Sequence, residues 1–155
     1  MHYKEIIGKS DDNQFCNISI DYVDFEWHEI YKKLHKKTSR GSKEIALSLD
    51  NYILTQGLRD GDVLGKDDNT IFVVNILPCE VLIITADPHL IPKICYEIGN
   101  KHAALFYGES QDEFVTPYNE PARILLEKIG ASVSVKTVKL NQGRSISSTV
   151  NLHAH

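Results

Sequence analysis

Two apolar stripes at helical spacing, each set between strand-like segments, constrain this chain more than any other feature. Ile91, Ile94, Cys95 and Ile98 recur at i, i+3, i+4 and i+7, and Ala122, Leu125, Leu126 and Ile129 repeat the spacing. Either set makes one apolar face of a short helix. Ahead of the first lies Glu80–Thr85, where Val81, Leu82, Ile83 and Ile84 form an apolar run of strand length. Between the two helices, Ala103–Tyr107 and Glu113–Pro117 read as a hairpin across Gly108. Beyond the second, Ser132–Leu140 carries Val133, Val135 and Val138 as a closing strand. The punctuation agrees. Pro121 and Gly130 bracket the second helix. The first is expected to be capped by Asp87 with Pro88 in its first position, to begin irregularly or only near Pro92, and to end at Gly99-Asn100. A proline one turn in removes a helical hydrogen bond, and Gly and Asn tolerate a left-handed cap.

The order strand, helix, strand, strand, helix, strand predicts a ferredoxin-like βαββαβ domain, an antiparallel sheet with both helices on one face. The first half reads differently. From Met1 to about Asn75 the chain is strand-like and turn-rich: Ile45, Leu47 and Leu49 alternate with polar neighbours, and Val63-Leu64 and Ile71–Asn75 are apolar or β-branched. Turns fall at Ser39–Ser42, Arg59–Asp62 and Lys66–Asn69. Asp24–Lys37 fits a short helix as well as a strand and stays open. The expected class is α+β: a small all-β domain over residues 1–75, the ferredoxin-like domain over 76–141, and a flexible tail over 142–155.

Composition narrows the function classes. A formal net charge of −4 gives no basis for nucleic acid as a partner. The basic group Lys32, Lys33, Lys36, Lys37 and Arg40 reads as a solvated face or hairpin, and Asp60, Asp62, Asp67 and Asp68 as turns without calcium-loop spacing. Three distant cysteines, Cys16, Cys79 and Cys95, do not make a disulfide framework; Cys79 and Cys95 read as buried apolar fillers. No run approaches the roughly 18–20 apolar residues of a membrane span. A cytoplasmic protein without a membrane partner is expected. Phosphate loops, H-E-x-x-H and G-x-S-x-G are absent, so an enzyme is not expected.

The remaining chemistry lies in histidines. His102 follows the Gly99-Asn100-Lys101 helix end, and His153 and His155 lie in the tail. Imidazole suits borderline metals such as Ni²⁺, Cu²⁺ and Zn²⁺. Each also has a plainer reading: an imidazolium favoured by the helix dipole, and a loose terminus. Ser145–Asn151 is polar and expected to be disordered. His2, His28, His35 and His89 show no ligand spacing among themselves.

The stretches Gly57–Leu64, Val73–Leu77, Ile94–Leu105 with its Gly-Asn-Lys-His motif, Thr116–Tyr118 and Leu125–Gly130, together with the histidine-bearing tail, resemble the UreE family of urease accessory proteins, nickel metallochaperones. The resemblance implies a homodimer formed through the C-terminal domain, with His102 meeting its symmetry mate and His153 and His155 completing the coordination. It implies Ni²⁺ as the metal carried, with Zn²⁺ or Cu²⁺ also able to bind, and a urease accessory GTPase and the urease apoprotein complex as partners. Lys101 stands where the family commonly has arginine, and the short tail argues against bulk nickel storage. Because imidazole binds metal only when deprotonated, affinity is expected to fall as pH drops through roughly 6–7. The alternative is a dimeric adaptor that docks the GTPase, with metal binding incidental.

Overall fold

A computed structural model describes residues 1–146; His153 and His155 lie outside the described residues, as does most of the expected tail. The chain divides into two compact units, Met1–Leu77 and a second beginning at Pro78.

The first unit holds two small sheets. In one, β1 (His2–Tyr3) pairs parallel with β5 (Glu44–Ser48), which pairs antiparallel with β4 (Leu34–Thr38). In the other the order is β2 (Gly8–Lys9), β6 (Asp62–Asp67), β7 (Thr70–Ile76) and β3 (Ser19–Phe25), with β3 parallel to β7. One turn of helix, α1 (Ile53–Gln56), and two 3₁₀ turns are added to what the sequence suggested as all-β. Asp24–Lys37 resolves into three pieces: the end of β3, a 3₁₀ turn over Trp27–Glu29, and β4. The turn is stabilised by a capping box in which the Glu26 N–H donates to Glu29 Oε1 at 3.0 Å and the Glu26 side chain accepts from the Glu29 N–H. The core joins Val23, Phe25, Ile30, Ile45, Leu47, Leu64, Phe72 and Val74. Burial of this kind stabilises by about 25 cal/mol per Å² of apolar surface. Gly65 admits a close approach there, because a Cβ at this position would meet the Tyr3 ring at 2.3 Å. The Leu77 N–H still bonds to Phe25 O at 2.9 Å, which ties the chain to this unit through Leu77.

The basic segment is a hairpin, as expected. Its inward strand position is not apolar, however: His35 is buried while Leu34 is 71% exposed. The acidic residues hold turns. Asp62 accepts from Arg59 N–H at 2.8 Å and pairs with Lys9, and Asp60 Oδ1 accepts from Ile76 N–H at 2.6 Å.

The second unit runs β8 (Cys79–Thr85), α2 (Ile91–Asn100), β9 (Phe106–Tyr107), β10 (Glu113–Pro117), α3 (Glu120–Ile129) and β11 (Ser132–Val138). Its sheet order is β11-β8-β10-β9, antiparallel throughout. Leu82, Ile84 and Phe114 on one face pack with Ile94 and Ile98 of α2 and Ala122 and Leu126 of α3. α3 starts as its sequence suggests, Asn119 Oδ1 accepting from Ala122 N–H at 2.9 Å, and ends at Gly130 with φ 110°. Cys95 packs only partly against this core, and Cys79 is likewise half-buried; neither is the fully buried filler expected from sequence. Among the described residues, no helix is long and apolar enough to cross a membrane.

Candidate metal centre

α2 is amphipathic because Ile94 and Ile98 are buried while Tyr96, at 68% exposure, faces away from them. Its beginning is irregular and lies near Pro92, as expected, but without the expected cap. Asp87 makes no side-chain cap; Pro88 opens a 3₁₀ turn over Pro88–Leu90, and α2 starts at Ile91, so that Pro92 falls where its missing N–H is no loss.

α2 ends at Asn100, as expected, but its left-handed cap falls elsewhere than the sequence reading put it. Gly99 and Asn100 remain helical, and neither takes the left-handed cap. That conformation falls on His102 itself, with φ 57°. The Ala103 N–H donates to Ile98 O at 3.2 Å and the His102 N–H to Gly99 O at 3.0 Å, the paired bonds of a Schellman cap. His102 therefore occupies the place glycine usually takes. A side chain there is disfavoured by about 1–2 kcal/mol, although His and Asn are tolerated better than most. The imidazole is exposed. The helix end holds the residue in this conformation through these backbone bonds.

Beyond α2 the chain pairs back on itself. After β11, Asn141 Oδ1 accepts from Gly143 N–H at 2.9 Å and forms a short turn. Arg144 Nη1 donates to Gly108 O at 2.7 Å, Ser145 bridges antiparallel to Phe106, and the Ile146 N–H donates to Leu105 O at 2.9 Å. Ile146 packs partly buried against the core of the second unit. The sequence reading makes 142–155 a flexible tail, but Gln142–Arg144 form a 3₁₀ turn. Ser145 and Ile146 are also ordered against β9, and the one sequence signal for this is a lone isoleucine in a polar stretch.

The other described histidines are dispersed. His2 Nε2 lies 2.9 Å from Ser48 Oγ, His28 meets the Trp27 ring edge-on at 5.8 Å, and His89 is exposed on the 3₁₀ turn before α2. His35 is a fold residue. Its Nε2–H donates to Lys32 O at 2.9 Å, its ring stands edge-on to Phe25 at 5.1 Å, and burial pushes the imidazole below its ordinary pKa. Among the described residues, no three His, Cys, Asp or Glu side chains come together as a metal site. His102 is thus not part of any three-residue ligand group among the described residues.

The model of the UreE urease accessory protein N-terminal domain matches residues 3–77. A urease accessory protein UreE of Helicobacter pylori (strain Shi470) is 45% identical over 142 residues, covering 91% of this chain and 83% of the relative. The chain belongs to the UreE family of urease accessory proteins. The UreE of Helicobacter acinonychis (strain Sheeba) is 42% identical over the same shares, and that of Helicobacter bizzozeronii is 36% identical over 129 residues, 83% of this chain and 73% of the relative. The UreE relatives are accessory proteins by name. In this UreE family member the distinctive chemical feature is an exposed imidazole on a left-handed helix cap.

Proposed function

We propose that this chain carries Ni²⁺ for the assembly of the urease active site, with the ion held between the two subunits of a homodimer. The observation that carries the reading is His102: an exposed imidazole in a backbone conformation that the fold would fill better with glycine, in a member of a urease accessory family. A residue kept at a cost in stability and buried by nothing is positioned for a ligand. A two-fold axis would supply a second copy and turn one donor into two.

The second unit is ferredoxin-like on this reading, supported by the β11-β8-β10-β9 order with both helices on one face. It is also the dimerisation unit. The tail imidazoles of His153 and His155 supply further donors. Six residues lie between Ile146 and His153, and the seven steps reach at most about 25 Å at about 3.5 Å each. Transfer then proceeds by exchange of a few imidazole ligands to the urease apoprotein complex, with an accessory GTPase as co-partner. Imidazole donors also suit Zn²⁺ and Cu²⁺, and intrinsic affinity ranks Cu²⁺ above Ni²⁺, so the choice of nickel rests on supply and partners.

Calorimetric titration of the tag-free protein with Ni²⁺, beside His102→Ala, tests the proposal. Tight binding of about one ion per dimer that collapses in the variant is the expected result. Binding untouched by the variant would overturn it, and the chain would then act as an adaptor for the GTPase.

A further inference from the structure

β4 is an edge strand, last in the order β1-β5-β4, and its register shows which of its backbone groups are engaged. The Leu49 N–H donates to Lys33 O at 2.9 Å and the Ser39 N–H to Lys43 O at 2.8 Å, so the odd-numbered residues of the strand bond toward β5. In an antiparallel ladder the alternate residues point their N–H and C=O groups the other way. These are Leu34, Lys36 and Thr38, and among the described residues no strand pairs with that edge. Leu34 is also 71% exposed. The charge along this edge is one-sided. Between Glu29 and Glu44 the chain carries six basic side chains and no carboxylate. Three of them are engaged: Lys37 pairs with Glu29, Arg40 pairs with Asp24 at 2.8 Å, and Lys33 Nζ donates to Asn51 Oδ1 at 2.8 Å. Lys32, Lys36 and Lys43 are exposed and make no ion pair among the described residues.

We propose that the free edge of β4 takes up an extended acidic segment of a partner protein as an added antiparallel strand. The segment's main chain bonds to Leu34, Lys36 and Thr38, and its carboxylates meet Lys32, Lys36 and Lys43. In strand addition the main-chain bonds supply affinity and alternate side chains supply specificity. Here the edge calls for an apolar side chain over Leu34 with acidic ones to either side. Lysines on an edge by themselves discourage strands from pairing. That role gives no reason for a leucine left exposed between them. A second copy of the chain is a poor occupant, because antiparallel pairing about Lys36 sets lysine against lysine. An acidic strand reverses the sign: the lysines that repel another basic edge attract it and speed its arrival. The surface belongs to the first unit and acts whether or not His102 holds an ion.

The test uses the full chain and a short fluorescein-labelled peptide with a valine between glutamates on one face of the strand and threonines on the other. Fluorescence anisotropy is expected to show saturable binding that weakens as salt is raised. Lys32→Glu combined with Lys36→Glu should weaken it about tenfold or more, and Leu34→Thr several-fold. All three residues are exposed, and circular dichroism checks that the fold is kept. Residues opposite Leu34 and Lys36 point their amides at β4, so a peptide N-methylated at its glutamates and valine should not bind, whereas one N-methylated at its threonines should. Equal binding of the two methylated peptides overturns strand addition and leaves only a charged surface. Binding untouched by the substitutions, or none at millimolar peptide, overturns the proposal outright. An oligonucleotide of equal charge that displaces the peptide at lower concentration overturns it in favour of a nucleic-acid partner.

Discussion

In the β4–β5 hairpin an imidazole is buried, bonded and set edge-on to an aromatic ring; at the end of α2 another stands in solvent on a residue whose backbone geometry is unfavourable. His35 is 8% exposed and donates to Lys32 O, with the Phe25 ring against its own. Lys37 lies 4.8 Å above the same Phe25 ring and pairs with Glu29. His102 makes its backbone cap bonds and presents its ring outward. Whichever of two histidines the fold depends on is the poorer candidate for a ligand, because a ligand must be free to leave its protein contacts for the metal.

The largest effect should separate the two sites directly. His35→Ala is expected to lower the stability of the first unit by about 2–4 kcal/mol, the range for truncating a buried side chain. His102→Ala should change stability by no more than about 0.5 kcal/mol. Denaturant unfolding followed by Trp27, the only tryptophan, reports the first unit, and far-UV circular dichroism on the same samples reports the second. A loss on His102→Ala equal to that on His35→Ala would erase the contrast.

Packing comes next. Gly65→Ala forces a methyl group onto the Tyr3 ring and should cost the first unit about 1–3 kcal/mol in the same measurement.

The charge state of His35 sharpens the comparison further. Burial disfavours the imidazolium in the folded state; Lys37 and Lys32 act in the same direction, while Glu29 and the hydrogen bond to Lys32 oppose it. The unfolded chain therefore takes up the proton first. The stabilisation is fully present above the ordinary histidine pKa of about 6.5 and is lost as pH falls through the lower folded value. One proton limits the slope to about 1.4 kcal/mol per pH unit. Unfolding midpoints of the first unit measured from neutral pH downward should decline, and His35→Gln, which cannot titrate, should flatten the part of the decline that His35 contributes.

The smallest expected effect has the opposite sign. His102→Gly relieves the left-handed conformation and should stabilise the second unit by about 0.5–1 kcal/mol, while abolishing nickel binding. Thermal unfolding by circular dichroism reads the first part and calorimetry the second. Stability lost on this substitution would mean that the imidazole supports the helix end after all.

Much of the second unit was legible because its signals are local. A helical stripe such as Ile91, Ile94, Cys95 and Ile98 records its own period, and the β9–β10 hairpin closes over a short loop. The candidate residue was legible too, but for an incomplete reason: the glycine and asparagine before His102 announced a helix end without revealing which residue would turn left-handed. That depends on where the Schellman bonds close, and they close on His102. The first unit was less readable. The parallel pairing of β3 with β7 joins residues about fifty positions apart, and nothing local in Ser19–Phe25 names its partner. Asp24–Lys37 stayed ambiguous because its strand turns a histidine inward and a leucine outward, reversing the pattern that alternation relies on.

The sequence by itself determined the family, the helix and strand order of the second half, and the identity of the imidazoles, because each is carried by residue type and short-range spacing. Only the tertiary structure decided that His35 belongs to a core, that His102 stands exposed on a left-handed cap, and that Ser145 and Ile146 pair with Phe106 and Leu105. Those outcomes depend on which surfaces meet across long stretches of chain, and short-range spacing does not encode that.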